Sequence, residues 1–178
     1  MAPIACRRAI ATPIGTTGEI LESHHMYDQH DVETLERQFN AAMEEADTGS
    51  ALEAVRRIYD EFDRGGVGLE ALLHPDFQIR METVFLEEKV YKGLRGYERW
   101  RADVEEVFEE DRFQPEGLRA AADGRWVVLG RLQITERESG DELDVPLAHV
   151  LEQRDRKVAS FTVYSDISRA LESVGLPA

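Results

Sequence analysis

The spacing of apolar residues divides the chain into helical and extended segments. Residues 31–46 and 50–64 repeat apolar residues every three or four positions, which predicts two helices. The second helix ends at Gly65-Gly66, and a short helix follows as far as His74-Pro75. A further helix is predicted from residues that share one face: Trp100, Val104, Val107 and Phe108.

Apolar and polar side chains that alternate along the chain predict strands. Residues 77–82 alternate apolar and polar side chains, which predicts a strand with one buried face. Pro115 and Gly117 indicate a loop, and tight turns are predicted at Ser139-Gly140 and Asp155-Arg156. Four strands follow in order, at about 118–122, 125–138, 142–154 and 157–164. Because such a sheet must bury one face, we predict helices packed against a curved antiparallel sheet, which is an α+β fold.

Composition narrows the possible partners. The chain has 178 residues and a formal net charge of −15, so its surface repels phosphate groups and we expect no nucleic-acid partner. Cys6 is the single cysteine, which excludes an internal disulfide within this sequence. No apolar segment approaches the length of a membrane span, so we expect no membrane partner and a cytoplasmic location.

The chain divides into two regions by pattern. Residues 1–48 are predicted to form an N-terminal extension, disordered to about residue 30 and helical after it, and residues 49–178 form the folded domain. The histidines His24, His25 and His30 fall in the extension, where no rigid element would fix the geometry of a metal site. We therefore expect neither a metal nor a cofactor.

Two motifs resemble those of a known family. Tyr91-x-Gly93-x-x-Gly96 precedes the helix that carries Trp100, and Asp166-x-x-x-Ala170-Leu171-x-x-x-Gly175-Leu176 follows the last strand. Both resemble motifs of SnoaL-like proteins in the nuclear-transport-factor-2-like superfamily, over about residues 50–176. The resemblance implies a conical fold in which a strongly curved, mainly antiparallel sheet wraps around about three helices. It also implies a deep pocket and a homodimer formed through the outer sheet face.

The resemblance implies a small-molecule ligand but does not fix an activity. Its members include polyketide cyclases, epoxide hydrolases and steroid-isomerase-like enzymes, whose carboxylates correspond here to Val163, Met81 and Ala148. An apolar side chain cannot act as a general base. Two hypotheses remain: an enzyme of the isomerase, cyclase or hydratase type that moves a proton on a small organic substrate in an apolar pocket, and a non-catalytic binding or dimeric interaction module.

Strand pairing predicts which residues share a sheet face. With two-residue turns, one face holds Val127, Leu129, Arg131, Gln133, Ala148, Val150, Phe161 and Val163. The other holds Trp126, Val128, Leu132, Ile134, Leu147, His149, Leu151 and Tyr164. Apolar patterning alone would bury the second face under the helices. Similarity to the steroid-isomerase pattern around residues 146–149 points the first face inward, so we predict the first face as the pocket and the second as the dimer interface.

Three polar residues are candidates for catalysis. Arg131 would bind a carboxylate or enolate ligand, or else pair with a nearby glutamate. His149 would act as a general acid or base, although its predicted face favours a structural role at the interface. Glu82 would act as a base if it turns inward at the strand end, and Asp166 is predicted to cap the last helix. The predicted ligand-binding residues are Tyr59, Met81, Trp100, Leu129, Arg131, Ala148, Val150, Phe161 and Val163.

Overall fold

A computed structural model describes residues 33–34, 37–38, 46–47, 49–64, 68–83, 90–155 and 157–178. Its helices are α1 (Ser50–Asp63), α2 (Leu69–Leu72), α3 (Gly93–Val107) and α4 (Ile167–Ser173). Its strands are β1 (Leu73–Glu82), β2 (Val90–Lys92), β3 (Phe108–Ala120), β4 (Trp126–Glu136), β5 (Glu142–Arg154) and β6 (Lys157–Tyr164).

The predicted N-terminal extension is described only in part. Residues 33–34 and 37–38 are helical, as the apolar period predicts, and Asp47 pairs with Leu118 at the free edge of β3. The predicted disorder before residue 30, Cys6 and the three histidines of the extension lie outside the described residues.

The six strands form one curved, unclosed sheet in the order β2-β1-β6-β5-β4-β3. Only β1 and β6 run parallel, and every other neighbouring pair is antiparallel. Helices α1 and α3 contact the sheet from one side, and α4 contacts β5 and β6. The predicted α+β class is therefore confirmed, with helices covering a curved sheet.

Local sequence explains how α1 and α3 meet this sheet. The apolar stripe of α1 buries Leu52, Val55 and Tyr59 against it. At the start of α3, a side chain on Gly96 would collide with the backbone of Tyr91, so only glycine allows the helix to lie this close to β2. The hydroxyl of Tyr91 then donates a hydrogen bond of 2.7 Å to buried Asp103, which fixes α3 against the strand.

Strand β3 differs from the sequence prediction. Helix α3 ends at Val107, and Phe108–Ala120 is a single strand. The strand predicted at about 118–122 forms only its end, and a helix end and a loop were expected before it. Pairing with β4 along most of its length stabilises this strand although its local sequence does not favour one. Pro115 is tolerated because β3 lies at the sheet edge, and the register shifts between Pro115 and Gly117.

The two hairpins of the sheet set which residues face the helices. The turn between β4 and β5 is longer than predicted, so Leu129 pairs with Ala148, but this two-residue change leaves both faces intact. A bulge between Glu152 and Gln153 changes the register of β5 and β6 by one residue. Val163 therefore pairs with His149 rather than with Ala148, and the predicted pairing is wrong.

The structure reverses the predicted sides of β4 and β5. The predicted dimer face, with Leu147 and Leu151, lies inside the fold and packs with residues of α1 and α3. Val127 and Val150 of the predicted pocket face lie instead in a second apolar cluster with α4, to which Tyr164 also packs. The proposed interface is therefore the interior of one chain, and a homodimer stays a prediction. Among the helices that the structure describes, none combines the length and the apolar sequence that a membrane span requires.

Candidate functional site

A cavity of about 80 Å³ lies between the inner sheet face and helices α1 and α3. Drug-sized ligands usually occupy about 300–1,000 Å³, so this cavity holds a small molecule unless its walls move. Its walls are mostly aromatic and aliphatic. The lining residues are Tyr59, Phe62, Asp63, Ile79, Met81, Tyr97, Trp100, Arg101, Val104, Phe108, Asp111, Phe113, Leu132, Leu147, His149, Phe161 and Val163.

A polar pair stands on this apolar wall. Tyr59 of α1 and His149 of β5 approach each other across the core, and the Tyr59 hydroxyl lies 2.7 Å from His149 Nδ1. Both residues are buried, with exposed fractions of 6% and 5%. The short distance is a hydrogen bond, which offsets part of the cost of removing both groups from water.

Aromatic rings enclose His149. The ring centroids of Phe113 and Phe161 lie 3.9 Å and 4.6 Å from that of the imidazole. Phe113 reaches this position because Gly130 has no side chain: a Cβ there would collide with the Phe113 ring and the Gln114 carbonyl. These tilted ring contacts hold the imidazole in one orientation, so its nitrogens have fixed positions in the cavity wall.

Burial keeps the polar pair uncharged. Desolvation lowers the pKa of His149 to about 3, and it raises the pKa of Tyr59 well above its usual value. At neutral pH the imidazole is therefore unprotonated at one nitrogen and the phenol keeps its proton. The pair offers hydrogen bonds rather than charge.

Charged groups are confined to one part of the cavity wall, where Asp63, Arg101 and Asp111 are at least partly exposed. Arg101 forms two hydrogen bonds with Asp111, of 2.9 Å and 3.2 Å, and also lies 3.5 Å from Glu105. Burial raises the pKa of Asp63, and the nearby Asp111 charge raises it further. We call these three lining residues the mouth; it carries one ion pair and one additional carboxylate.

Five predicted ligand-binding residues do line the cavity: Tyr59, Met81, Trp100, Phe161 and Val163. Leu129, Ala148 and Val150 do not, because they lie in the apolar cluster beneath α4. They were placed on the cavity wall by the likeness to steroid isomerases at residues 146–149, which turns the wrong face of β4 and β5 inward. The bulge in β5 explains why Phe161 and Val163 of β6 line the cavity although these three residues do not.

The three catalytic candidates lie in different places. Arg131 is outside the cavity, where its Nε donates a hydrogen bond of 2.7 Å to the aspartate Asp144; a glutamate partner was the one considered. Glu82 does not turn inward; it is exposed and lies 3.5 Å from Arg169. His149 faces the cavity and not a dimer interface. As predicted, Asp166 caps the last helix by accepting a hydrogen bond from the Arg169 backbone.

Sequence reasoning missed several lining residues, and some carried a usable signal. Tyr97, Arg101 and Val104 share one face of α3, at helical spacing, with the predicted Trp100. Leu147 and Leu132 belong to the face that apolar patterning alone would have buried. Phe113 and Asp111 gave no such signal, because their segment was not recognised as a strand. In the described part of the chain, no group of three or more histidine, cysteine or acidic side chains could hold a metal ion.

Comparisons with known proteins agree with this architecture. A sequence profile of the SnoaL-like domain matches residues 55–161. The solved structures that resemble the chain include TerC co-crystallised with polyporic acid, at 22% identity and a TM-score of 0.56, covering 69% of this chain and 95% of that one. A comparison with curated protein sequences found no significant match.

Two further structures share the fold. A nuclear-transport-factor-2-like protein of unknown function from Burkholderia pseudomallei has 20% identity and a TM-score of 0.54, covering 70% of this chain and 96% of that one. The second is a protein with a ketosteroid-isomerase-like fold from Catenulispora acidiphila, in complex with trimethylamine. It has 17% identity and a TM-score of 0.52, and the match covers 69% of this chain and 92% of that one. At these identities the likeness concerns the fold.

Proposed function

Since the chain belongs to the SnoaL-like family, we propose that it binds a small organic molecule in the cavity between α1, α3 and the inner sheet face. The observation that carries this proposal is the wall itself: aromatic and aliphatic side chains surround one buried hydrogen-bonded pair, Tyr59 and His149. An apolar cavity with a few converging polar groups is the usual form of a small-molecule site.

Two of the similar structures contain organic molecules, polyporic acid and trimethylamine, and this supports the proposal. The wall also favours binding over acid–base chemistry at its centre. Met81 and Val163 line the cavity with apolar side chains. The resemblance matches these two positions to catalytic carboxylates of related enzymes. A homodimer and a cytoplasmic location stay predictions.

Native mass spectrometry of the purified protein, followed by thermal melts with toluene, cyclopentane and cyclopentanone, tests binding. We expect at least one compound to raise the melting temperature, because a ligand that binds only the folded state stabilises it. Val163→Phe should fill the cavity and remove the shift. Tyr164→Phe, on the opposite sheet face, is the matched control and should keep it. If the filled variant responds as the wild type does, the ligand binds elsewhere.

One observation favours a second candidate function, proton transfer. Asp63 lines the mouth, and its raised pKa makes the carboxylate a better base than an ordinary aspartate. In this reaction the carboxylate takes a proton from the carbon beside a ligand carbonyl, leaving an enolate, and then returns a proton to that carbon.

Exchange of the α-hydrogens of cyclopentanone in D₂O, followed by NMR, tests this reaction. Asp63→Asn should abolish any exchange above the buffer rate. Asp60→Asn is the matched control, because Asp60 lies exposed on the same helix and is not a lining residue. If the ligand binds and no exchange is catalysed, proton transfer is wrong and the protein only binds the ligand.

A further inference from the structure

One nitrogen of His149 is left without a partner. Nδ1 bonds to the Tyr59 hydroxyl, and no other hydrogen bond to the ring is formed by the described residues. The side chain is 5% exposed and borders the cavity. Among the described residues the fully enclosed side-chain nitrogen without a partner is Trp100 Nε1, and not Nε2 of His149, which is therefore open to the cavity. Because polar groups inside a fold normally have partners, Nε2 is a site where a ligand would supply the missing one.

The direction of the Tyr59–His149 hydrogen bond decides what Nε2 offers. If the Tyr59 O–H donates to Nδ1, the ring proton of the neutral imidazole sits on Nε2, and only this N–H lacks a partner. If Nδ1–H donates instead, the Nε2 lone pair and the Tyr59 hydroxyl proton both lack one. The first arrangement leaves one group of the pair without a hydrogen-bond partner and the second leaves two, so the first is favoured.

We propose that Tyr59 fixes His149 as the Nε2–H tautomer and that this N–H donates a hydrogen bond to the acceptor of an uncharged ligand, such as a ketone carbonyl. This inference rests on the proposed function and specifies the class of ligand. Tyr59 is a positioning residue, since it acts by holding the proton of His149 in place. A neutral imidazole held in this way can polarise a carbonyl without carrying a charge.

The charged groups around the cavity argue against an anionic ligand. Arg101 is already bound to Asp111 and Glu105, and Asp63 adds a negative charge beside it. His149 itself is neutral, because burial lowers its pKa to about 3. A carboxylate in this cavity would lack a free cation to pair with, whereas a carbonyl needs only the N–H of His149.

The tautomer can be measured before any ligand is known. In ¹⁵N-labelled full-length protein, long-range ¹H–¹⁵N correlations distinguish protonated from unprotonated ring nitrogens. Comparison with His149→Gln assigns its signals among the five histidines. We expect the proton on Nε2 in the wild type and a mixture of tautomers in Tyr59→Phe. A proton on Nδ1 in the wild type would overturn the inference.

A matched ligand set tests the hydrogen bond. Cyclopentanone and methylenecyclopentane have the same shape, but only the ketone carries an acceptor, and cyclopentanecarboxylate supplies an anion. We expect the ketone to bind about tenfold more tightly than the alkene, as one added hydrogen bond allows. His149→Phe should remove this preference. His149→Gln, whose side-chain amide keeps a donor, should restore part of it, and His74→Phe should change nothing.

The outcomes separate this inference from the proposed function. Equal binding of ketone and alkene would overturn the ligand class while small-molecule binding stands. Tighter binding of the carboxylate would show a cationic site and also overturn it. If none of the probes nor any co-purified compound binds, the proposed function and the ligand class both fail.

Discussion

Strands β4 and β5 have two faces that differ in their packing. On the outer face, Leu129, Ala148 and Val150 pack beneath α4 in a cluster of apolar residues. On the inner face, the neighbouring positions carry Gly130, which makes room for Phe113, and His149, which bonds to Tyr59. One face is filled by close packing, and the other contains a cavity with a polar group.

This difference shows where stability and function can be separated. Because successive side chains in a strand point to opposite faces, a substitution on the outer face reaches the cavity only through the backbone. Removing packing from the outer face should therefore cost stability without altering the ligand, and a change to the inner pair should alter both.

Leu171→Ala should cause the largest loss of stability. Leu171 is 1% exposed in the outer cluster, and deleting a buried leucine side chain costs about 2–5 kcal/mol. Met81→Ala on the inner face should cost less, because Met81 already borders a cavity. Urea unfolding measures both. Binding of a cavity probe should be unchanged in Leu171→Ala, and a lost or altered affinity there would show that the faces are coupled.

Much of this architecture could be predicted from the sequence, since the period of apolar residues acts locally. The buried stripe of α1 and the alternation of Phe77, Ile79 and Met81 in β1 are as predicted. The side of β6 relative to β4 and β5 was not, because the bulge after Glu152 is set by pairing between strands and has no signature in neighbouring residues. Apolar patterning had indicated the correct inner face of these two strands, and the analogy at residues 146–149 pointed to the wrong one.

The chemistry of the site was less predictable than the fold. Tyr59 and His149 lie 90 positions apart, so only the folded chain shows that they share a hydrogen bond. Asp111 and Phe113 were missed because pairing with β4, rather than local sequence, makes their segment a strand.

Acid should destabilise the protein through His149. Its pKa is about 3 in the folded state and about 6.5 when unfolded, so between these values the unfolded chain takes up a proton that the folded chain does not. Stability therefore falls as the pH falls below about 6.5, by about 2 kcal/mol at pH 5.

The comparison of wild type with His149→Phe isolates this contribution. Asp63 has a raised pKa and contributes with the opposite sign, but it is present in both proteins and cancels in the difference. Urea unfolding at pH 7 and pH 5 should show a smaller loss in the variant. His74→Phe is the control outside the cavity. Equal pH dependence in wild type and His149→Phe would mean that the imidazole takes up its proton in the folded state as readily as in water.

Asp166→Ala should cause an intermediate loss of stability and should leave the cavity on the inner face unchanged. The Asp166 carboxylate accepts a hydrogen bond of 3.1 Å from the Arg169 backbone and caps α4. Losing such a cap costs about 1 kcal/mol, and Asp166→Asn should keep most of it. Thermal melts measure the change. A shift in probe affinity for Asp166→Ala, with the fold intact, would indicate that the end of α4 influences the cavity.

Arg131→Leu should cause the smallest change in the free energy of unfolding. Arg131 pairs with Asp144 at 2.7 Å, but the side chains are 24% and 47% exposed, and such pairs contribute about 0–1 kcal/mol. A double-mutant cycle with Asp144→Asn measures the pair by urea unfolding. Because Arg131 does not line the cavity, binding of both the ketone and the carboxylate probe should be unaffected. A loss of carboxylate binding in Arg131→Leu would place an anion site on the outer face and contradict the division between the two faces.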